Sequence, residues 1–268
     1  MALTSLANAA AGMGYNYDLS KVGVALSTGV PFSTFYSTGF PPSASVPSPG
    51  MGGAALTTYT GQIPFVNPTG GQYTYLGKFS IANSQAGTVF IMDRLWHNSG
   101  INVTSTGAQA VTSVAWPARD ANESTNGEQV LIAVEVTSTM GAATPTITLD
   151  YTNSSGTAGR TGTNIIGTTS AASAGYFYPI SLQAGDTGVR SIQNVTLSAS
   201  WISGSISLVA YRVLVRLETP FLPNTKNTLD TLSSGAVRFF DNSVPFMVCL
   251  QSGGSTPTLI GSFSYTRG

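Results

Sequence analysis

Hydrophobic and polar positions alternate with period two along much of the chain. Val130, Ile132, Val134 and Val136 alternate with Gln129, Ala133, Glu135 and Thr137. Ile147, Leu149 and Tyr151 alternate with Thr146, Thr148 and Asp150, and Val195, Leu197, Ala199 and Trp201 with Thr196, Ser198 and Ser200. Earlier, Tyr73, Tyr75, Phe79 and Ile81 share one face, with Thr74, Lys78 and Ser80 opposite. Successive side chains of a strand point to opposite faces, so this spacing predicts half-buried β-strands. One later run changes phase: Ile206 and Leu208 face one way, then Val209, Tyr211, Val213, Val215 and Leu217 the other. That predicts either a bulge near Val209 or a strand buried on both faces. Turn formers separate the runs, among them Ser99-Gly100, Asn126-Gly127, Ser154-Ser155-Gly156, Gly185-Asp186-Thr187-Gly188 and Ser203-Gly204. Many short strands between turns predict an antiparallel sandwich or barrel rather than βαβ units. The expected core domain is 71–218.

The flanks read differently. Ala2 to Ala11 is compatible with a short helix, and no amphipathic helix follows it. Residues 1–70 then run with little periodicity into a stretch rich in proline and glycine, Phe40-Pro41-Pro42-Ser43-Ala44-Ser45-Val46-Pro47-Ser48-Pro49-Gly50. Proline donates no ladder hydrogen bond, so an extended N-terminal arm is expected. Its aromatics Phe32, Phe35, Tyr36 and Phe40 need a surface to lie on, either in the same chain or on a neighbouring subunit. After Glu218, Thr219-Pro220-Phe221-Leu222-Pro223 breaks the pattern. Residues 219–268 hold β candidates at Ala236–Phe240, Val244–Leu250 and Thr258–Tyr265, too little for an independent domain. They are expected to add strands to the core or to pack on a partner.

Charge changes the picture. Only 8% of residues are charged, eleven basic against eleven acidic, where an ordinary soluble domain carries about 25%. No basic cluster exists, so neither a nucleic-acid nor a membrane partner is expected. No apolar run reaches the roughly 18 residues of a spanning helix. The opening MALTSLANAAAGMG has no basic segment and no strongly apolar core, so no secretory signal is predicted. Aromatic residues make up 10%, which argues for packed cores and against disorder.

Candidate chemistry is thin. His97 is the only histidine, in Asp93-Arg94-Leu95-Trp96-His97-Asn98, and no G-x-S-x-G elbow accompanies it, so a structural histidine is expected. Asp186-Thr187-Gly188 matches the tripeptide of aspartic proteases, whose chemistry needs two such carboxylates. One copy is present, flanked by Gly185 and Val189 where that motif has an apolar and a small residue, so a turn is expected. One histidine and one cysteine, Cys249, cannot make a zinc site, and no D-x-D-x-D run suits calcium. Trp96, Trp116 and Trp201 are expected in cores or interfaces rather than in a sugar site. No catalytic residue, cofactor or metal is therefore expected. What remains is adhesion. Lysine, which guards exposed strand edges, occurs only at Lys21, Lys78 and Lys226, and zero net charge removes the repulsion that keeps chains apart.

The stretch from Gly61 to Arg212 resembles a family of structural proteins of tailed bacteriophages and prophages. The resemblance lies in Gly61-Gln62-Ile63-Pro64-Phe65, Asp93-Arg94-Leu95-Trp96-His97-Asn98-Ser99-Gly100 and Pro117-Ala118-Arg119-Asp120. It continues through Ser154-Ser155-Gly156-Thr157-Ala158-Gly159-Arg160-Thr161 and Leu182-Gln183-Ala184-Gly185-Asp186-Thr187-Gly188-Val189-Arg190-Ser191. It implies a virion component with a jelly-roll-like antiparallel β-sandwich, assembled in the bacterial host cytoplasm, and carries no catalytic residues. Together with the composition it leads to a capsid-decorating or cementing protein, trimeric, bound to the major capsid protein or other virion proteins. The expected contact residues are Phe32, Phe35, Tyr36 and Phe40 in the arm and Phe239, Phe240 and Phe246 in the tail. A tail or head-fibre adhesin binding host glycans is the alternative.

Overall fold

The computed structural model describes residues 5–24, 27–220 and 225–268. The start of the expected helix, through Thr4, and Phe221, Leu222 and Pro223 of the expected break lie outside them. One short helix, α1 (Leu6–Ala11), is capped by the Ser5 hydroxyl, which accepts from the Asn8 N–H at 3.1 Å. The strands follow as β1 (Met13–Val22), β2 (Phe32–Ser33), β3 (Thr38–Phe40), β4 (Ala54–Ala55), β5 (Thr74–Asn83) and β6 (Gly87–His97). Next come β7 (Gln109–Ala110), β8 (Leu131–Ser138), β9 (Ile147–Asn153), β10 (Arg160–Asn164), β11 (Phe177–Ser181) and β12 (Val189–Leu197). The last are β13 (Ser205–Thr219), β14 (Lys226–Asp230), β15 (Arg238–Phe239), β16 (Pro245–Gln251) and β17 (Thr258–Arg267). The fold is all-β, antiparallel and jelly-roll-like.

Two compact units form, neither continuous in sequence. The first comprises 1–44, 58–93 and 213–268; the second 45–57 and 94–212. This differs from the expected division into 1–70, 71–218 and 219–268. The reason is pairing between segments remote in sequence. In the first unit the sheet runs β14-β5-β17-β1-β3, with β15 also on β5. β17 therefore lies between β5 and β1, and β1 pairs along its length from Met13↔Thr266 to Val22↔Thr258. The leading residues are thus not wholly an arm: β1 is an interior strand, and the longest strandless stretches of the segment, 41–53 and 56–73, lie after β3. The tail candidates appear as β15, β16 and β17, all within this unit.

The core of the first unit lies between two layers. Leu19 of β1, Phe79 and Ile81 of β5, and Leu259 and Phe263 of β17 meet Val89 and Ile91 of β6, Val215 and Leu217 of β13, and Met247 and Cys249 of β16. The alternation expected across Tyr73 to Ile81 changes phase inside β5: Leu76, Phe79 and Ile81 are buried, whereas Tyr73 is exposed. Gly77 marks the change, where β17 shifts register between Ser264 and Tyr265. A Cβ on Gly77 would come within 2.9 Å of the Tyr265 carbonyl carbon, so the close approach requires glycine.

In the second unit one sheet runs β13-β8-β11-β10-β9-β12-β7. The predicted alternation in β9 holds along its length, with Ile147, Leu149 and Tyr151 buried. The phase change in β13 comes from two-sided burial: Ile206 to Tyr211 are all buried, and the register irregularity against β8 falls at Ser205/Ile206 rather than at Val209.

Candidate interaction and chemical sites

The groups with chemical potential are held in internal clamps. In the second unit, Arg94 and Glu135 face each other from β6 and β8 at 2.7 Å, both with 0% of the side chain exposed. Arg94 Nε donates to His97 Nδ1 at 3.2 Å. Burial, reinforced by the Arg94 charge, pulls the His97 pKa down to about 3. The ring is thus a neutral acceptor at neutral pH, with its Nδ1 turned to arginine rather than to a carboxylate, the reverse of a triad histidine. The neighbouring residues staple the chain. Asn98 Nδ2 donates to the Met51 carbonyl at 3.2 Å while its Oδ1 accepts from the Leu208 N–H at 2.7 Å. Trp96 Nε1 donates to the Gly52 carbonyl, and Gly53, at φ +70, passes the indole so closely that a Cβ would lie 2.3 Å from it. Trp96 and Trp116 meet edge to face at 5.1 Å, and Trp116 Nε1 donates to the Val189 carbonyl. All three tryptophans are buried.

Arg119 donates to the carbonyls of Leu56 at 2.7 Å and Arg94 at 3.1 Å. Asp120 closes its own loop: Oδ1 accepts from the N–H groups of Asn122 and Ser124, and Oδ2 from the Ser124 hydroxyl and the N–H groups of Gly127 and Glu128. Burial alone raises its pKa, but hydrogen bonds from Ser124, Glu128 and Asn122 outweigh that and hold it below the ordinary carboxylate value. In the first unit, Asp93 accepts from the Val244 N–H at 2.8 Å.

Asp186 sits in the turn between β11 and β12 and is likewise clamped. Arg160 donates to both carboxylate oxygens at 2.9 Å, Tyr151 donates at 2.6 Å and Asn153 at 2.7 Å. The paired Arg160 donors, with Tyr151 and Asn153, pull its pKa down to about 2 against the opposing effect of burial. Protease chemistry needs a carboxyl that can hold a proton beside a second carboxylate; this one is ionised and paired with a guanidinium. Its folded-state pKa lies below the unfolded value of about 3.9, so its contribution is complete at neutral pH and fades as pH falls from about 4 towards 2. Asp186→Asn is expected to cost roughly 1–2 kcal/mol at pH 7 and to flatten the acid limb, measured by urea denaturation at pH 7 and pH 3.

Cys249 is fully buried, and burial pushes its thiol up to about 12, so it is no nucleophile at neutral pH. Among the described residues no group of three or more His, Cys, Asp or Glu comes together.

The aromatics expected to make contacts are mostly inside the first unit. Phe32, Phe35, Phe239, Phe240 and Phe246 are buried, and Tyr36 is half-buried. Phe35 lies among Tyr36, Tyr59 and Phe246, at ring separations of 5.9, 5.8 and 5.6 Å. Phe239 meets Phe263 and Tyr265 at 5.8 and 5.2 Å. Phe32 and Phe35 of the arm and Phe239, Phe240 and Phe246 of the tail therefore lie against their own chain and, buried there, present no surface to a neighbour. The apolar wall of β16 supplies what the proline-rich segment lacks. Phe40 is the exception at 42% exposed. Cross-strand pairing sets Phe40 and Ile260 on either side of Ser20, and Val22 lies two residues along the same face. Phe40, Val22 and Ile260 thus make an exposed apolar trio that the sequence did not single out beyond Phe40.

No family model matches the chain, and no curated protein does. A solved structure of infectious bursal disease virus, Gx strain, aligns over 76% of this chain and 45% of its own, at 16% identity and a TM-score of 0.16. The chain thus spans under half the length of that viral protein, and a likeness of this degree carries no argument.

Proposed function

We propose that the chain is a non-enzymatic structural protein of a virion, one that decorates and cements a phage head through contacts between subunits. The observation that carries this reading is the fate of the reactive groups. Arg94, Glu135, His97, Arg119, Asp120, Arg160 and Asp186 all bind parts of their own unit, and these residues carry most of the phrases on which the resemblance to phage structural proteins rests. Selection for shape explains that pattern better than selection for turnover. The partners on this reading are the major capsid protein and further copies of the chain, arranged as a trimer, in a particle assembled in the bacterial cytoplasm.

Attachment on this reading uses the exposed apolar groups rather than the buried rings of the arm and tail. Phe40→Ser and Ile260→Ser are each expected to weaken binding to phage heads at least about tenfold without lowering the melting temperature, read by co-sedimentation and thermal denaturation. Deleting residues 1–50 removes β1, β2 and β3 together, which bares the edge of β17 and is expected to unfold the first unit. Labelling the chain in intact virions decides its station: regular positions on the head sustain decoration. Labelling at fibre tips together with glycan-array binding overturns it in favour of an adhesin. Turnover of a peptide that Asp186→Asn abolishes while the fold survives overturns both.

A further inference from the structure

The strands of the second unit run between two ends of opposite character. At one end lie the turns 117–130, 154–160 and 182–190, which hold Arg119, Asp120, Glu123, Glu128, Arg160, Asp186 and Arg190. At the other end four segments, 99–108, 139–146, 165–176 and 198–204, contain not one Asp, Glu, Lys, Arg or His. Backbone hydrogen bonds tie these four together. The Gly141 N–H donates to the Ser203 carbonyl at 3.0 Å, Ala171 to Gly141 at 3.0 Å, Met140 to Ala172 at 2.9 Å and Trp201 to Val103 at 2.8 Å. The charge-free end is therefore one crosslinked surface rather than four loose tips. It displays two large aliphatic side chains, Ile165 at 63% and Ile202 at 61% exposed. Ile202 also has φ +69, a left-handed conformation that is a genuine outlier for a β-branched residue. A polar residue such as asparagine would satisfy this position with less strain, yet isoleucine occupies it and faces solvent.

We infer that this charge-free end is where copies of the chain meet one another about a rotation axis. Near such an axis each residue faces its own counterpart, so any charge there meets a like charge. A surface without charges is self-complementary in this respect, whereas the opposite end of the same unit is not. The exposed isoleucines supply the apolar anchor, and the Ala, Gly and Ser residues around them allow close approach. The contact deepens the proposed assembly role by naming the surface through which copies associate.

The test is sedimentation velocity of the full chain over a range of concentrations. The parent chain is expected to self-associate, and Ile202→Asp and Ile202→Lys are each expected to weaken that association at least about tenfold. Mixing the two variants is expected to restore association in part, because unlike charges then face each other. Ile165→Asp, at a position without backbone strain, is expected to repeat the loss, and Thr157→Lys at the charged end to leave association unchanged. Circular dichroism identifies any variant that fails to fold, and Ile165→Asp then carries the test. A parent chain that stays monomeric overturns the inference, as does undiminished association of both charged variants. So does tighter association of one charged variant alone, which sets this end against an oppositely charged surface of the next copy rather than against itself. Head binding is measured separately, so a chain that self-associates through this end but ignores phage heads retains the contact and loses the decoration reading.

Discussion

Replacing Arg94 by methionine is expected to lower stability by about 3–5 kcal/mol. The cause is what remains behind. Glu135 is fully buried, and its carboxylate is held by Arg94 at 2.7 Å. Without that guanidinium the charge is stranded in a medium that solvates it poorly, and His97 loses the donor to its Nδ1. Glu135→Leu is expected to cost a similar amount by stranding Arg94 instead. The double variant Arg94→Met with Glu135→Leu is expected to recover most of the loss, because removing both ions removes both desolvation penalties. Urea midpoints at unchanged m-value give the three differences and hence the coupling between the residues. Single variants within about 1 kcal/mol of the parent would show that water reaches the pair.

The stability of the parent relative to Lys21→Met is expected to rise by roughly 2–3 kcal/mol as pH goes from about 8 to about 10.5; the comparison between the two removes the opposite effect of the buried Cys249 thiol, which both share. Lys21 lies on the inward face of β1, 1% exposed. Its ammonium donates to the carbonyls of Ser37 at 3.0 Å and Pro42 at 3.5 Å. Burial pulls its pKa down from the usual 10.5 to about 8. Between those two values the unfolded chain holds a proton that the folded chain has released, so raising the pH favours the folded state. Lys21→Met is expected to lose this favourable contribution. It should be at least as stable as the parent at pH 7, with the difference closing towards pH 10.5. A difference between parent and Lys21→Met that stays constant over this interval would place the ammonium in contact with water.

Lys21 also shows why part of the fold was hidden in the sequence. β8, β9 and β12 were legible because Val, Ile, Leu and Tyr recur at every second position and both flanks carry turn residues. In β1 the same inward face runs Tyr17, Leu19, Lys21, and a lysine at an inward position erases the signal that periodicity depends on. The destination of the arm was illegible for a different reason. Thr34 Oγ1 donates to the Met247 carbonyl at 3.2 Å across 213 residues of chain, and local composition holds no trace of such a partner. The same remoteness produced units that interleave where consecutive segments had been expected. At Asp186 the turn could be read from Gly-Asp-Thr-Gly, but the clamp could not, since Arg160 and Tyr151 come from other strands. Exposure at Ile202 was equally invisible: the pattern ended at Trp201, and nothing distinguishes an outward isoleucine from a core one by type alone.

The place of β17 between β1 and β5 has a consequence for how the protein is made. Translation delivers β1 first and β17 last, so during synthesis β1 waits without its long partner while the second unit, complete once residue 212 has left the ribosome, is free to fold. A premature stop before Thr258 would leave both β1 and β5 with bare edges. Chains cut short there should therefore cluster into insoluble aggregates rather than persist as partly folded monomers.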